Sequence, residues 1–216
     1  MRILVIGSSG NFGSTLVAFL RGNGHEVTGI DRDDEIPGLL KDYEACFLAI
    51  PLNGIMEYIS RNEHPMLVEI SSVKTPMKKY SNRVVSIHPL FGPSSIGNPE
   101  FRNILFINDI SQPQSLKSIE FLFPGFAITS LTADEHDRLM VELLVRPYIL
   151  SILSSRTSSG TTRNVTCTSH RKLLDLSSIS MAESREVLLD TIRHNPYSKE
   201  ALKNLRDEMD GLFNEF

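Results

Sequence analysis

The sequence predicts an α/β protein whose first part is a doubly wound parallel sheet and whose second part is a smaller all-α domain. Residues 2 to 130 alternate short runs rich in β-branched and other apolar residues with segments of helical character. Several runs are apolar at successive positions, which is typical of strands buried on both faces between layers of helices. After about Leu131 the apolar residues recur at helical spacing instead. We therefore expect two domains, residues 1–130 and 131–216.

Seven runs of the first part are predicted to be strands of one parallel sheet. In chain order they are RILVI, HEVTGI, EACFLAI, PMLVEI, RVVSI, NILFI and FAITS.

The second part is predicted to contain about three helices. The first carries Pro147, which should kink it, and the third begins at Asn195-Pro196, a suitable cap followed by proline at the first helical position. The three apolar stripes are Leu139, Leu143, Leu150 and Leu153; Val187, Leu188 and Ile192; and Ala201, Leu205, Met209 and Leu212. Because three helices make only a small core, we expect these stripes to pack against a second copy of the chain in a homodimer.

The segment 154–169 is rich in serine and threonine. One interpretation is a flexible surface loop, because such a composition buries little apolar surface. The other is a lid in which Arg156 and Arg163, with Arg171 and Lys172 just after it, close on an anionic substrate.

Composition argues against several functional classes. The formal net charge of -4 is unlike that of a nucleic-acid binder. Cys46 and Cys167 are too far apart in sequence to suggest a disulfide framework or a zinc knuckle, and no spacing of histidines and acids suggests a metal site. No apolar run is long enough for a membrane span, and the N-terminal run lacks the cleavage site of a signal peptide. We expect a cytoplasmic protein that acts on a small molecule.

A glycine pattern follows the first predicted strand. Gly7, Gly10 and Gly13 lie between that strand and an amphipathic helix, with Asn11 and Phe12 among them. Glycines permit a tight turn and a close approach of the backbone to a pyrophosphate, and the helix N-terminus directs free N–H groups at the phosphates. The order of strand, glycines, helix and second strand predicts a dinucleotide-binding fold of the Rossmann type, with these five residues at the cofactor.

The end of the second strand predicts the cofactor. Asp31 can accept hydrogen bonds from the ribose hydroxyls and would repel a 2′-phosphate, which favours NAD over NADP. Arg32 argues the other way, because a guanidinium can stack on adenine or bind that phosphate. Ala49, Ile50 and Pro51 end the third run and suit the crevice in which the cofactor lies.

Two further strands lead into polar residues. MLVEISSVK reaches Ser72 and Lys74, and VVSIHPLFGP reaches His88. Since the carboxyl ends of parallel strands face the ligand crevice, Ser72 and His88 are predicted to meet beside a nicotinamide. An imidazole titrates near neutral pH and is a suitable proton acceptor.

These motifs resemble the prephenate dehydrogenase and arogenate dehydrogenase family of tyrosine biosynthesis. The specific part of the resemblance is SSVK followed by HPLFGP, and it continues through His136-Asp137 to the late segment RHNPYSKEAL. The resemblance implies NAD-dependent oxidative decarboxylation of prephenate, or of arogenate. It also implies that His88 accepts the proton of the substrate hydroxyl, and that Ser72 hydrogen-bonds both that hydroxyl and the imidazole.

The substrate-binding residues match the family less well. Lys74 matches the motif lysine and is a substrate candidate, and the alternative is an exposed lysine at the start of the next helix. Tyr148 stands where the family usually has a histidine, and Ser177 and Ser178 lie where it uses an arginine. A dianionic substrate needs cationic partners, for which Arg171 is a candidate. Two alternatives are Arg146 and Arg163.

Two other functions remain open on the sequence. One is a dinucleotide-dependent oxidoreductase of another type, such as one that exchanges hydride with a deazaflavin. The other is a dinucleotide-binding sensor without activity, which kept the fold and lost the substrate arginine.

Overall fold

The computed structural model describes residues 1–36, 38–157 and 165–216. They form two compact units, residues 1–136 and 137–216. The division between the units falls inside the helix Ala133–Met140, whereas the predicted boundary after residue 130 falls inside the strand Ala127–Leu131. Residues 158–164 of the predicted loop or lid, including Arg163, lie outside the described residues.

All seven predicted strands form, and they belong to one sheet in the first unit. They are β1 (Arg2–Ile6), β2 (Glu26–Ile30), β3 (Ala45–Leu48), β4 (Leu67–Glu69), β5 (Val85–Pro89), β6 (Asn103–Ile107) and β7 (Ala127–Leu131). The strand order is β2-β1-β3-β4-β5-β6-β7. From β1 to β5 all pairings are parallel, and β6 is parallel to β7.

The prediction of an entirely parallel sheet is wrong at one pairing, because β5 and β6 are antiparallel. A parallel return normally needs a crossover of a dozen or more residues, usually a helix, that carries the chain back along the sheet. The connection from β5 to β6 contains only a short 3₁₀ turn, Pro99–Phe101. The chain therefore folds back beside β5 and runs in the opposite direction.

The sheet has a topological switch point between β1 and β3. From β1 the chain moves outward to β2 and then returns to β3 on the other side of β1. In sheets of this kind ligands bind outside the carboxyl ends of the strands at such a point. The residues that follow β1 and β3, Gly7 and Ala49, lie at this edge.

Helices cover both faces of the sheet, as the doubly wound prediction requires. They are α1 (Asn11–Gly22), α2 (Leu52–Arg61) and α3 (Ser115–Leu122). Side chains of α1 and α3 share one apolar cluster with alternate strand residues such as Ile3 and Phe47. On the other face lies Cys46, with Tyr58 of α2 beside it, and burial raises the pKa of the Cys46 thiol to about 12.

The chain after β7 is helical, as predicted, but the described residues there form five helices rather than about three. The helices after β7 are α4 (Ala133–Met140), α5 (Arg146–Thr157), α6 (Thr168–Ala182), α7 (Arg185–His194) and α8 (Ser198–Glu215). Where a kink was expected at Pro147, a π-helical segment, Val141–Val145, precedes it. Proline has no N–H to give to the preceding turn, and a wider turn accommodates that loss. Within the described ranges no helix combines the length and apolarity needed to cross a bilayer.

Candidate functional site

The glycine turn after β1 is built so that two chain segments approach each other closely. Gly7 has a φ of +88°, and a Cβ there would lie 2.2 Å from the Ala49 carbonyl oxygen. A Cβ on Gly13 would lie 1.9 Å from the Gly7 carbonyl oxygen. Glycine at position 7 therefore allows the turn to pass close to the end of β3. Glycine at position 13 allows α1 to pack directly against the turn.

The N-terminus of α1 is open to a ligand. The helix begins at Asn11, after Gly10, and no side chain in the described part of the protein caps it or adds an acid to its first turn. Its first N–H groups lack intrahelical partners and carry the positive end of the helix dipole. This arrangement fits the pyrophosphate of a dinucleotide.

Asp31 lies just after β2, and its carboxylate is turned toward the glycine turn. It accepts a hydrogen bond from the Ser8 hydroxyl at 3.0 Å and one from the Ser9 N–H at 3.1 Å. Hydrogen bonds from Ser9, and then from Ser8, hold the pKa of Asp31 below its ordinary value. The carboxylate is ionised at neutral pH and keeps lone pairs for further donors such as ribose hydroxyls. The next residue, Arg32, is exposed.

The remaining predicted cofactor residues lie at the same edge of the sheet. The Ala49 N–H donates to the Ile6 carbonyl at 2.8 Å, and Ile50 and Pro51 lead into α2. The Phe12 ring packs on the Phe91 ring of the HPLFGP turn, with 5.4 Å between the ring centroids. The start of α1 is thus in contact with the segment that follows His88.

His88 is buried at the end of β5, with 6% of its surface exposed. Its Nδ1 lies 2.9 Å from Nε2 of His136, a fully buried residue of α4. Burial first, then His136 and then Lys74, lower the pKa of His88 well below its ordinary 6.5. The ring is therefore neutral at neutral pH. When Nδ1 carries the proton and donates it to His136, Nε2 is left as the acceptor.

Among the hydrogen bonds of the described residues, none joins Ser72 to His88. Ser72 is half-buried in the turn after β4. The Nδ1 of His88 is instead paired with His136, a residue for which the sequence suggested no role at the site. Ser72 follows the carboxyl end of β4, and His88 lies near the carboxyl end of the neighbouring parallel strand β5. Both residues therefore lie at the edge of the sheet that also carries the glycine turn.

Lys74 is not placed to contact a substrate, and it is not exposed either. It is 0% exposed, and its Nζ donates to Glu69 Oε1 at 2.7 Å and to the Ile87 carbonyl at 2.7 Å. A buried ammonium is tolerated only where a carboxylate and other acceptors replace its water shell. The interpretation of Lys74 as an exposed lysine is therefore wrong, and its burial gives no support to the predicted contact with a substrate.

Glu69, like His136, is a residue of this region that the sequence did not predict. It is fully buried at the end of β4, where it also accepts hydrogen bonds from the Ser71 N–H at 2.9 Å, from the Ser71 hydroxyl at 2.6 Å and from the Ser86 hydroxyl. The available signal was the acid itself in the apolar run PMLVEI, because a carboxylate in a buried strand requires partners.

The predicted substrate residues of the second unit differ from one another in burial and in hydrogen-bond or ion-pair partners. Tyr148 is buried, and burial together with its hydrogen bond to Glu183 raises the pKa of its phenol. Arg171 is exposed on α6. Arg146 pairs with Glu142, one helical turn away, at 3.0 Å. The flanks of the predicted loop or lid are helical, because α5 continues to Thr157 and α6 begins at Thr168.

Comparison with known proteins gives one curated relative and several solved structures. No family model matches the chain. The T-protein of Haemophilus influenzae is 27% identical over 103 aligned residues, which cover 42% of this chain and 27% of that protein. The chain thus aligns with only about a quarter of the length of this relative.

The similar structures share the fold. Synechocystis arogenate dehydrogenase is 19% identical with a TM-score of 0.67, and the comparison covers 99% of this chain and 91% of that one. Prephenate dehydrogenase from A. aeolicus, in complex with hydroxyphenyl propionate and NAD+, is 14% identical with a TM-score of 0.70, covering 100% and 91%. An imine reductase from Bacillus cereus scores lower, at 0.54, with 15% identity and 89% and 76% covered. The predicted fold is confirmed, and the first two neighbours are the enzymes that the sequence motifs resemble.

Proposed function

We propose that this chain is an NAD-dependent dehydrogenase that oxidatively decarboxylates prephenate to 4-hydroxyphenylpyruvate, or arogenate to tyrosine. The observation that carries the proposal is the buried His88 at the same sheet edge as the glycine turn and Ser72. The similarity to the T-protein and to the arogenate and prephenate dehydrogenase structures supports it.

The residues of the glycine turn fit NAD. The open N-terminus of α1 would bind the pyrophosphate, and the ionised Asp31 would accept the ribose hydroxyls and repel the 2′-phosphate of NADP. When bound, NAD supplies a hydride acceptor. Isothermal titration with each cofactor checks the choice: NAD should bind more tightly than NADP, and tighter binding of NADP would remove Asp31 from this role.

His88 and Ser72 would act on the substrate ring. Nε2 of His88 accepts the proton of the ring hydroxyl, which Ser72 holds by a hydrogen bond, while hydride leaves the carbon that bears the hydroxyl. The ring carboxylate then leaves as CO₂, and the electron pair of the broken C–C bond makes the ring aromatic. The proton on His88 returns to the ring oxygen, so the net change is loss of CO₂ and of one hydride. General-base assistance of this kind contributes about 10²- to 10⁴-fold to a rate.

The remaining contacts to the substrate and to a second subunit are part of the proposal. Arg171 is the candidate partner for a substrate carboxylate, because its guanidinium is exposed whereas Arg146 is paired with Glu142. A homodimer through the helical unit is supported by the exposed apolar side chains of α8, among them Met209, Leu212 and Phe213.

Initial rates of NADH formation with prephenate and with arogenate test the reaction. One of the two acids should be oxidised at a rate that saturates with its concentration. If NAD binds but neither acid is oxidised, the chain is a dinucleotide-binding sensor or an oxidoreductase for another substrate.

A further inference from the structure

We propose that the buried Glu69–Lys74 pair is a positioning device that holds the His88 end of β5 and the Ser71–Ser72 turn in the geometry needed for reaction. The inference deepens the proposed function and rests on it. Neither side chain touches the substrate in this proposal, because both are 0% exposed.

Glu69 connects β4 to the turn that carries Ser72 and to β5. One of its carboxylate oxygens accepts from both the N–H and the hydroxyl of Ser71. The other accepts from Ser86, which lies directly opposite Glu69 in the parallel register of β4 and β5. One carboxylate therefore fixes the backbone next to Ser72 and the side chain two residues before His88.

Lys74, at the other end of the turn, hydrogen-bonds both to Glu69 and to the backbone of β5. Its Nζ lies 2.7 Å from Glu69 Oε1 and 2.7 Å from the carbonyl of Ile87, the residue directly before His88. The turn that begins with Ser71 is thus hydrogen-bonded at its end to the strand that presents the imidazole. Side chains that position catalytic groups act in this way, since errors of about 1 Å in a site can cost about 10²-fold in rate.

The pair also affects the charge of the imidazole. Among the described residues, the ionisable groups that act on His88 are His136 from α4 and Lys74 from the turn after β4, and Lys74 in turn donates a hydrogen bond to Glu69 of β4. Burial has the largest effect on the pKa of His88, followed by His136 and then by the Lys74 cation, and all three lower it. Lys74 therefore favours the neutral ring. Removing that cation should raise the pKa of His88, whether the Glu69 carboxylate left behind is ionised or protonated.

A purely structural role would not require these charges. Buried ion pairs are often replaced by apolar or neutral groups of similar size without loss of stability, whereas removal of one partner alone is strongly destabilising. The tests therefore use Lys74→Met together with a double variant, Glu69→Gln with Lys74→Met, which leaves no unpaired charge. The matched control is Lys79→Met, an exposed lysine in the 3₁₀ segment Thr75–Tyr80, which Lys74 directly precedes.

Two measurements separate the inference from the proposed function. The first is an NMR titration of histidine-labelled protein without substrate, in which the His88 resonances are assigned from His88→Asn. The second is kcat and KM with the better of prephenate and arogenate, with the dissociation constant of NAD as a check that the fold is intact.

We expect Lys74→Met to raise the apparent pKa of His88, because the cation that lowers it is removed. In the double variant kcat should fall about 10- to 100-fold with NAD affinity unchanged. Lys79→Met should change neither quantity. An unchanged titration, or an unchanged kcat in the double variant, overturns the inference. If the unmodified protein oxidises neither acid, the proposed function fails, and the titration alone decides whether Lys74 acts on His88.

Discussion

At the residue scale, His88 makes the stability of the protein depend on pH. In the unfolded chain this histidine titrates near 6.5, whereas in the folded chain its pKa lies well below that value because of burial, His136 and Lys74. Below about pH 6.5 the unfolded state therefore binds more protons than the folded state, and stability falls as the pH is lowered. Above that pH the group contributes no pH dependence.

This gives a prediction for denaturant unfolding. The free energy of unfolding should decrease between about pH 7 and about pH 5, by up to about 1.4 kcal/mol for each pH unit below 6.5 from this one group. Other groups also titrate in acid, so the comparison is with His88→Asn, in which the slope over this range should be smaller. Equal slopes in the two proteins would mean that His88 is protonated in the folded state.

His88 is also the residue on which turnover should depend most. His88→Asn keeps a polar side chain beside His136 and removes the proton acceptor, so kcat should fall by about 10²- to 10⁴-fold. NAD affinity should change little, because the glycine turn and Asp31 are untouched. His194→Asn, at the end of α7, is the control and should retain normal turnover. Normal turnover in His88→Asn would exclude it as the base.

At the element scale, the approach of α1 to the glycine turn determines cofactor binding. In Gly13→Ala the new methyl group would lie 1.9 Å from the Gly7 carbonyl oxygen, and backbone on both sides would have to move. We expect at least about a tenfold loss of NAD affinity, with a lower Tm, since helix N–H groups must stay close to the phosphates.

Gly22→Ala is the matched control for this prediction. It lies on the same helix, and a Cβ there meets no atom within 4 Å. Its NAD affinity should be unchanged and its Tm unchanged or slightly higher. Titration calorimetry and thermal unfolding measure both effects, and equal behaviour of the two variants would contradict the role given to Gly13.

The strands and the glycine turn could be predicted from the sequence because their signals are local. Short runs rich in apolar and β-branched residues predicted the seven strands, and Gly7 and Gly13 lie close to β1 in the chain. The reversal between β5 and β6 was missed, since periodicity carries no information about strand direction. The direction of β6 depends instead on the described connection between β5 and β6, which has a short 3₁₀ turn in place of a crossover helix.

The polar network behind His88 could not be predicted in the same way. His136 is 48 residues from His88 in the chain, and only the packing of α4 brings the two rings together. Lys74 was expected at the surface because lysine usually lies there. Its burial depends on Glu69, and on a register that places Ser86 and the Ile87 carbonyl nearby. Such contacts follow from the assembled sheet rather than from any one segment.

At the scale of the whole molecule, the helical unit leaves much apolar surface uncovered. On α8 the side chain of Phe213 is 82% exposed, and Met209 and Leu212 are exposed as well. Contiguous exposed apolar surface usually marks an interaction site. We therefore expect the protein to be a dimer in sedimentation experiments.

Substitution of this surface should dissociate the dimer. Leu212→Asp with Phe213→Asp places two negative charges in the proposed interface and should give a monomer by analytical ultracentrifugation. Lys203→Glu, exposed on the same helix, changes the net charge by the same amount and should leave the dimer intact. A monomeric unmodified protein would show that α8 is not the dimer interface.

In the proposed reaction each turnover transfers one hydride to NAD and releases one CO₂, and both depend on His88. The most direct measurement is the yield of NADH and of CO₂ from carboxyl-labelled prephenate or arogenate, in a single reaction of the unmodified protein and of His88→Asn. For one of the two acids the unmodified protein should form NADH and CO₂ in equal amounts, and His88→Asn should form both far more slowly. NADH without CO₂, no reaction with either acid, or equal rates in the two proteins would contradict the claim.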